Sequence, residues 1–532
     1  CRAPSSNYVG LTQWISKSFG LDFDPWSQYP DEGITKKDMK LIEKLSSLKD
    51  SQKSHYLDWI EDQAKLLLSK YVLKLNPSIL ELKGQTLNKS LGNLFIDDKN
   101  KAYFDYIYSI YKNLKDSNKK EKINFMKAIK GFRVPSGPSG APTRGRPEVL
   151  PTGNNFYSVD LRGLPTEAAF ELGRKTSEQI IDSHMQNTGE HLKSLALSVW
   201  GTATMRNGGE EIAQLLALIG VRPIWDGPTR RVIDLEVIPL DILGRPRVDV
   251  ILRVSGLFRD AFPNLISLVN RAQFLLGNLQ EANILNPYVA YKKKGLSTCR
   301  VYGSAPGSYG AGLQALIDSG MWESKEDLAA SYIEWSKWKY ESPAEPVEDK
   351  EGFIECLSNV EVVMHSQDNR EHDILDSDDY YQFHGGLAAS VEKITQKKPT
   401  ILFGDNSRRE RPIIKNLEEE IDKVMRSRVL NPKWLDSMKQ HGYKGAFEMS
   451  ATLDYMFGYD ATTESIPDWA YEGIYKEWIK NLNTREFLIK NNPWAVRDIC
   501  ERLLEAYNRN LWINVDSEII KNIKLVYNNT DT

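Results

Sequence analysis

One window of this sequence concentrates the residue types that can move protons or hold metal ions. It reads "HSQDNREHDILDSDDYYQFHGG" and runs from His365 to Gly386. In it lie His365, Asp368, Glu371, His372, Asp373, Asp376, Asp378, Asp379 and His384, three of the chain's seven histidines among them. Imidazole changes charge near neutral pH, and imidazole with carboxylate oxygen ligates divalent transition ions. The mixture therefore suits proton abstraction or the handling of a divalent metal. A plainer reading accounts for part of it. Asp376 is a good helix N-cap, and Asp378 and Asp379 would sit favourably in the first turn of a helix through "YYQFHGGLAASVEKI". Capping explains neither His372 nor Asp373, and the spacing matches no closed metal site.

Cationic and glycine-rich stretches offer anion sites. "TMRNGGEE" places Arg206 just before a helix N-terminus, where unpaired backbone N–H groups favour carboxylate or phosphate. "GSAPGSYGAG" offers another such terminus without a cation. The loop "VPSGPSGAPTRGRPEVLPTGNNFYSVD" adds Arg144 and Arg146, whose guanidinium groups can grip a carboxylate with two parallel bonds. "FGDNSRRERPI" sets Asp405 beside Arg408, Arg409 and Arg411, an arrangement that orients a substrate carboxylate or pairs its own charges at a surface turn. Tyr455, Phe457, Tyr459 and Trp469 are candidates to line a pocket for a flat ligand, although such a stripe is more often core.

Other chemistries are excluded by what is missing. There is no GxxxxGK[ST] phosphate loop, no HExxH, no GxSxG, and no GxGxxG of the dinucleotide folds. ATP hydrolysis, if required, belongs to a partner. The net charge of −3 lacks the basic excess of a general nucleic-acid binder. No apolar run approaches the ~20 residues that span a bilayer. Cys1, Cys299, Cys356 and Cys500 are scattered without a CxxC pair, as in a reducing cytoplasm. A chain that opens "CRAPSSNYVG" reads as truncated rather than lipid-anchored at Cys1, since no signal segment precedes it.

The elements that must position these groups follow from periodicity. With 532 residues the chain is long enough for several domains. Residues 1–130 read as a helical region with solvated Lys and Glu faces. Residues 131–340 read as an α/β domain with the Gly/Pro/Arg loop. There "SLALSVW" is a strand, "GTATMRNGG" a turn, "EEIAQLLALIG" a helix closed by Gly220, and "IDLEVIPL" and "RVDVILRVSG" further strands. "CRVYGSAPGSYGAGLQALIDSG" forms a second strand–loop–helix unit. Residues 341–412 make an acid- and His-rich α/β segment entered through a surface loop, "ESPAEPVEDKEG". Residues 413–532 return to helix. The expectation is an α/β fold with a mostly parallel sheet whose ligands sit at the strand ends, flanked by substantial all-helical regions.

Several of these stretches have a family look. The Gly/Pro/Arg loop, "VWGTATMRNGGEEIAQLLALIGVRPIWD", "GRPRVDVILRVSGLFRDAFP", "GSAPGSYGAGLQALIDSGMW", "DNREHDILDSDDYYQFHGG" and "NPKWLDSMKQHGYKGAFEMSATLDYMFGYDATT" closely resemble the large-subunit family of the aerobic cobaltochelatases and magnesium chelatases. The match runs from about Gly131 toward the C-terminus, and the helical first quarter resembles the family only loosely. The resemblance implies insertion of cobalt(II) into a corrin precursor, hydrogenobyrinic acid a,c-diamide, in cobalamin synthesis. It also implies two smaller partner subunits that hold the ATP and magnesium, one of them an AAA+ ATPase. Cobalt is then substrate, and no tightly bound cofactor, nucleic acid or membrane is expected. The family's large subunit is about twice this length, with an upstream His-Gly-Thr-His-Gly-type segment absent here, so the chain resembles a C-terminal half.

On that resemblance the residues take roles. His372, Asp373 and His384 become the candidate bases, with Asp378 and Asp379 joining His372 and Asp373 as loose metal-delivery ligands. Arg144, Arg146 and Arg206 would hold the macrocycle's carboxylates, helped by Asp405 and Arg408. Two alternatives stay open: a magnesium–porphyrin enzyme, and a non-catalytic tetrapyrrole-binding or docking module.

Overall fold

The computed structural model describes residues 10–25, 33–46, 53–67, 101–138, 142, 147–157, 159–343, 345–409 and 411–530. The strands in chain order are β1 (Ser136–Pro138), β2 (Asn155–Tyr157), β3 (Ser194–Val199), β4 (Val221–Trp225), β5 (Val232–Val237) and β6 (Asp249–Val254). They continue with β7 (Val301–Gly303), β8 (Trp338–Lys339), β9 (Val347–Glu348), β10 (Val362–Gln367), β11 (Thr400–Asp405) and β12 (Ile413–Asn416). Eight of them form one sheet in the order β12-β11-β10-β3-β6-β7-β8-β9. Its inner five pair in parallel, and antiparallel pairs finish both edges. The fold is thus mixed α/β with a mostly parallel sheet, as expected.

Side-chain alternation explains the two layers of helix around that sheet. Leu195, Leu197, Val199, Val250, Leu252 and Val254 point into one core with helices Glu167–Thr188, Glu210–Ile219 and Pro263–Gly277. Ala196, Ile251, Val363, Ile401 and Phe403 point into the other, shared with helices Lys325–Ser336 and Gly386–Thr395 and with the helices that follow residue 417. Burying each such aliphatic side chain contributes about 1.5–3 kcal/mol. A third, smaller core joins Leu11, Ile15, Ile42, Tyr56, Ile60 and Ile107 of the N-terminal helices. There Thr35 caps helix Lys36–Leu45 reciprocally with Asp38, the pattern of a capping box.

Topology places the crevice. From β3 the chain steps to β6 and β7 on one side and, later, to β10 and β11 on the other. Connections therefore leave β3 and β10 in opposite directions, and a parallel sheet opens a crevice at the carboxyl ends of such a strand pair.

Several local expectations need correction. "GTATMRNGG" is not a turn but a helix, Gly201–Asn207, stopped by Gly208 and Gly209 at φ of +82° and +87°. "IDLEVIPL" supplies β5, which among the described residues pairs with β4 in a separate antiparallel ribbon. "ESPAEPVEDKEG" is not wholly loop, because β9 lies in it and pairs with β8. The helix through "YYQFHGGLAASVEKI" is present, but Ser377 caps it in place of Asp376 and a π turn interrupts it at Tyr381–Gly385. Among the described residues no helix is long and apolar enough to cross a membrane.

Candidate functional site

The crevice at the carboxyl ends of β3 and β10 gathers side chains from four segments. Trp200 follows β3, and its indole N–H donates to His365 Nδ1 at 3.3 Å. That bond makes Nδ1 the acceptor and leaves the ring proton on Nε2. His365 is 1% exposed on β10, and burial drives its pKa well below the usual histidine value, followed by repulsion from His384 and His372. It is neutral at physiological pH.

The short helix after Trp200 carries Arg206 in its last turn. Its guanidinium grips Asp368, just beyond β10, with two bonds of 2.8 and 2.7 Å. The next residue, Asn207, ties the turn. Its side-chain oxygen accepts from the Gly209 and Glu210 backbone N–H groups at 2.9 and 3.2 Å. Its amide donates to both oxygens of Glu211 at 3.1 and 3.2 Å. Gly208 and Gly209 must be glycine here, since both sit at positive φ and a Cβ on Gly208 would press against Thr166. Burial, and then the neighbouring Glu210, push the Glu211 carboxyl up to about 8. Glu211 therefore carries a proton at neutral pH. Glu210 lies 3.8 Å from the buried Arg409 guanidinium and accepts from Asn406 at 3.4 Å.

The acid- and histidine-rich window folds along the rim. His372 is exposed, and its Nδ1 lies 3.0 Å from both the Gln367 amide nitrogen and the Tyr380 hydroxyl. Asp373 is held by Arg428 through bonds of 2.6 and 2.7 Å and also accepts the Leu375 N–H at 2.9 Å. Arg428 further pairs with Asp376 at 3.0 Å, which ties the rim loop to the C-terminal helices. Asp378 accepts from Gln382 at 2.8 Å. Asp379 is pushed up to about 6 by desolvation and by Asp378. His384 is fully buried within the π turn, and burial lowers it to about 4 against the opposing pull of the Val363 and Leu402 backbone. Its ring centroid lies 5.6 Å from that of His365.

The residues expected to act together are only partly brought together. His372, Asp378 and Asp379 share the rim, while His384 lies beneath it and Asp373 is committed to Arg428. Among the described residues no group of three or more His, Cys, Asp or Glu side chains comes together to hold a metal ion. Arg144 and Arg146 lie outside the described residues. Arg206 is locked to Asp368 on one side and partly exposed on the other. Asp405 ends β11 and pairs with Arg370; burial alone would raise its pKa, but bonds from Ser407 and Arg370 hold it below the usual value. Arg408 is exposed. Phe457 and Tyr459 are core residues, Tyr455 is half-buried against the same core, and Trp469 packs under Arg426 at 4.8 Å. Those four aromatics are spent on packing rather than gathered around one pocket.

Sequence reasoning missed Trp200 and Glu211, and gave His365 and Asp368 no separate role. The available signals were a Trp directly after a continuous apolar strand and a Glu pair directly after Gly-Gly. Both mark groups delivered to a strand's carboxyl end.

Comparisons with known proteins place the chain in a family. The family model described as CobN/Magnesium Chelatase matches residues 1–519. The aerobic cobaltochelatase subunit CobN of Sinorhizobium sp is 48% identical over 416 residues, 75% of this chain and 32% of that protein. Its namesake from Pseudomonas aeruginosa is 47% identical over 401 residues, 72% of this chain and 32% of that protein. A magnesium-chelatase subunit of Chlorobaculum parvum is 31% identical over 420 residues, 77% of this chain and 33% of that protein. The catalytic subunit of cobaltochelatase from Mycobacterium tuberculosis superposes with a TM-score of 0.78 at 37% identity, covering 92% of this chain and 42% of the other. The matched stretch spans about a third of the length of the curated relatives. With a shared fold and a family match along nearly its whole length, the chain belongs to the CobN/magnesium chelatase family.

Proposed function

We propose that the chain forms part of the large subunit of a cobaltochelatase, which inserts cobalt(II) into hydrogenobyrinic acid a,c-diamide during cobalamin synthesis. ATP is hydrolysed by two smaller partner subunits, one an AAA+ ATPase, in keeping with the missing phosphate loop. The observation that carries the reading is the crevice between β3 and β10, where neutral imidazole, a proton-holding carboxyl and a cation–carboxylate pair meet. Identity of 47–48% to cobalt relatives against 31% to a magnesium relative supports cobalt as the metal.

Metal insertion makes two demands: inner-ring N–H protons must leave, and the ion must exchange water for ring nitrogen. His372, its ring set by Gln367 and Tyr380, takes a proton at the rim. Asp378 and Asp379 offer oxygen ligands loose enough to release the ion. Asp373 positions their loop through Arg428, and His384 supports the crevice floor as a neutral ring. Arg206 and Arg408 receive acidic arms of the macrocycle, and Arg144 and Arg146 are further candidates for the same task.

The test supplies the two smaller subunits and the remaining large-subunit polypeptide in trans. Insertion is followed by absorbance, with hydrogenobyrinic acid a,c-diamide and cobalt in one arm and protoporphyrin and magnesium in the other. Cobalt insertion that His372→Ala abolishes, with ring binding intact, is the expected result. Magnesium insertion alone would move the chain to the other branch of the family. Ring binding without insertion of either metal would leave a docking module.

A further inference from the structure

We infer that Gln382 is a positioning residue for metal delivery: its side-chain amide ties the rim carboxylate of Asp378 to the glycine-rich loop after β7 and so sets the direction in which Asp378 meets an ion. This role rests on the cobaltochelatase reading. Gln382 is 4% exposed and lies in the π turn Tyr381–Gly385. Its Nε2 donates to Asp378 Oδ2 at 2.8 Å, and its Oε1 accepts the Leu313 and Gln314 backbone N–H groups at 3.4 and 3.3 Å. Only one orientation of the amide serves both ends, because a carboxylate cannot donate and a backbone N–H cannot accept.

The sequence marks "GSAPGSYGAG" as a helix start able to take an anion, and the fold uses that start internally. The helix that follows, Gln314–Ser319, has six residues and no side-chain cap from Leu313. Gln382 reaches the first N–H groups from 69 and 68 positions away. The loop before them is pinned. Arg259 donates to Ala305 O at 2.8 Å and to Ser308 O at 3.1 Å, Arg253 to Gly310 O at 3.3 Å, and Ser331 Oγ to Gly312 O at 2.8 Å. Gly312 sits at φ +81° against the Trp335 ring, where a Cβ has no room. The loop is therefore a fixed anchor, and Gln382 carries its position to the rim.

An Asp–Gln pair at i, i+4 on a helix is ordinary and contributes only about 0.2–0.5 kcal/mol. This pair differs in the burial of its glutamine, in the second attachment to a distant loop, and in its contrast with the neighbouring carboxylates. Asp368 is gripped by Arg206, and Asp373 and Asp376 by Arg428, so guanidinium charge offsets each of them. Asp378 has no ion-pair partner among the described residues. A neutral amide fixes one carboxylate oxygen and leaves the charge intact, whereas a guanidinium would cancel it. A carboxylate that must attract a divalent ion and then release it needs a set direction together with an uncancelled charge. Removing a partner that orients such a group typically costs about 10–100-fold in metal affinity or activity.

The full chain is titrated with cobalt(II) by calorimetry. It is also assayed for insertion at varied cobalt and varied ring, with the two smaller subunits and the remaining large-subunit polypeptide supplied in trans. Gln382→Glu keeps an acceptor for Leu313 and Gln314 but loses the amide donor to Asp378, so it breaks one end alone. Cobalt binding about tenfold weaker and a matching rise in KM for cobalt are expected, with KM for the ring unchanged. Asp378→Asn should do the same, and adding Gln382→Glu to it should move neither value further. Hydrogen exchange at Leu313 and Gln314 should stay slow in Gln382→Glu and quicken in Gln382→Met, which lacks both ends. Gln382→Met, close in size and uncharged, repeats the cobalt comparison should Gln382→Glu melt early. Cobalt binding unaltered by both Gln382 variants, a KM for the ring that rises as much as that for cobalt, or additive effects in the double variant would each overturn the role. Calorimetry needs no turnover and so separates the two readings. Cobalt binding weakened as expected, in a chain that never supports insertion, sinks only the cobaltochelatase reading; insertion insensitive to both Gln382 variants sinks only the positioning role.

Discussion

The two edges of the parallel sheet are built from similar residue types to opposite ends. At the amino edge, β3 and β6 begin with Ser194 and Asp249 at the floor of a cavity of about 810 Å³. Asp249 accepts from the Tyr291 hydroxyl at 2.6 Å and lies 3.4 Å from Arg300 Nε, while the Arg300 guanidinium stacks on the Tyr291 ring at 3.7 Å. Those charges face each other as a buried ion pair, although Asp249 Oδ1 and Arg300 Nε have no hydrogen-bond partner among the described residues. At the carboxyl edge of β3 and β10, Trp200, Arg206 and Glu211 from the helical segment after β3 meet His365 and Asp368 from the end of β10, and neutral rings and a protonated carboxyl stand beside a cation. Open volume is therefore a poor guide to chemistry. In a parallel sheet the loops that diverge at the carboxyl ends bring unlike groups together, whereas the amino ends receive chain returning from the preceding helix.

The comparison breaks most sharply at Arg206. Arg206→Ala should cost about 3 kcal/mol in urea unfolding, the lower end for leaving a buried carboxylate without its cation because the guanidinium is partly exposed. Insertion should fall to background in the same protein. Trp200→Phe should cost about 1–2 kcal/mol and release the His365 tautomer, visible as a change in its Nδ1 nitrogen chemical shift. A pH series adds a signed test. Glu211 has a folded pKa of about 8 against 4.5 unfolded, so the folded state holds the extra proton between those values. Its contribution is greatest below about pH 4.5 and is lost as pH rises toward 8. Glu211→Gln should remove that alkaline loss. His384 works in the other direction. Its folded pKa near 4 lies below its ordinary value, so stability falls as pH drops from about 6.5 to 4, and His384→Gln should flatten that limb. The smallest effect belongs to the amino edge: Ser194 Oγ is buried without a hydrogen-bond partner among the described residues, so Ser194→Ala should change stability by less than about 1 kcal/mol and leave ring binding untouched.

Much of the architecture was legible because periodicity survives in local sequence. "SLALSV" and "DVILRV" alternate between two cores and are buried throughout, as their continuous apolar character demands. Gly220 closes its helix as expected. The turn expected at "GTATMRNGG" was misread because its glycines were taken as the turn itself, whereas they only stop a helix that precedes them. Asp376 was a credible cap, yet Ser377 won the position and Asp376 accepts the Asp373 N–H at 2.7 Å instead. A cap and a turn acceptor use the same short acidic side chain, so sequence cannot separate them.

The site was legible as an inventory and illegible as an arrangement. Residue types and spacing were enough to pick out the acid- and histidine-rich window, to exclude a phosphate loop, and to foresee strands feeding a parallel sheet. Which histidine faces water and which is sealed, that Asp373 answers to Arg428 from 55 positions away, and that Glu211 keeps its proton were decided only when β3 and β10 came to lie side by side. Burial and charge partners set a group's chemistry, and both come from chain segments far apart in sequence.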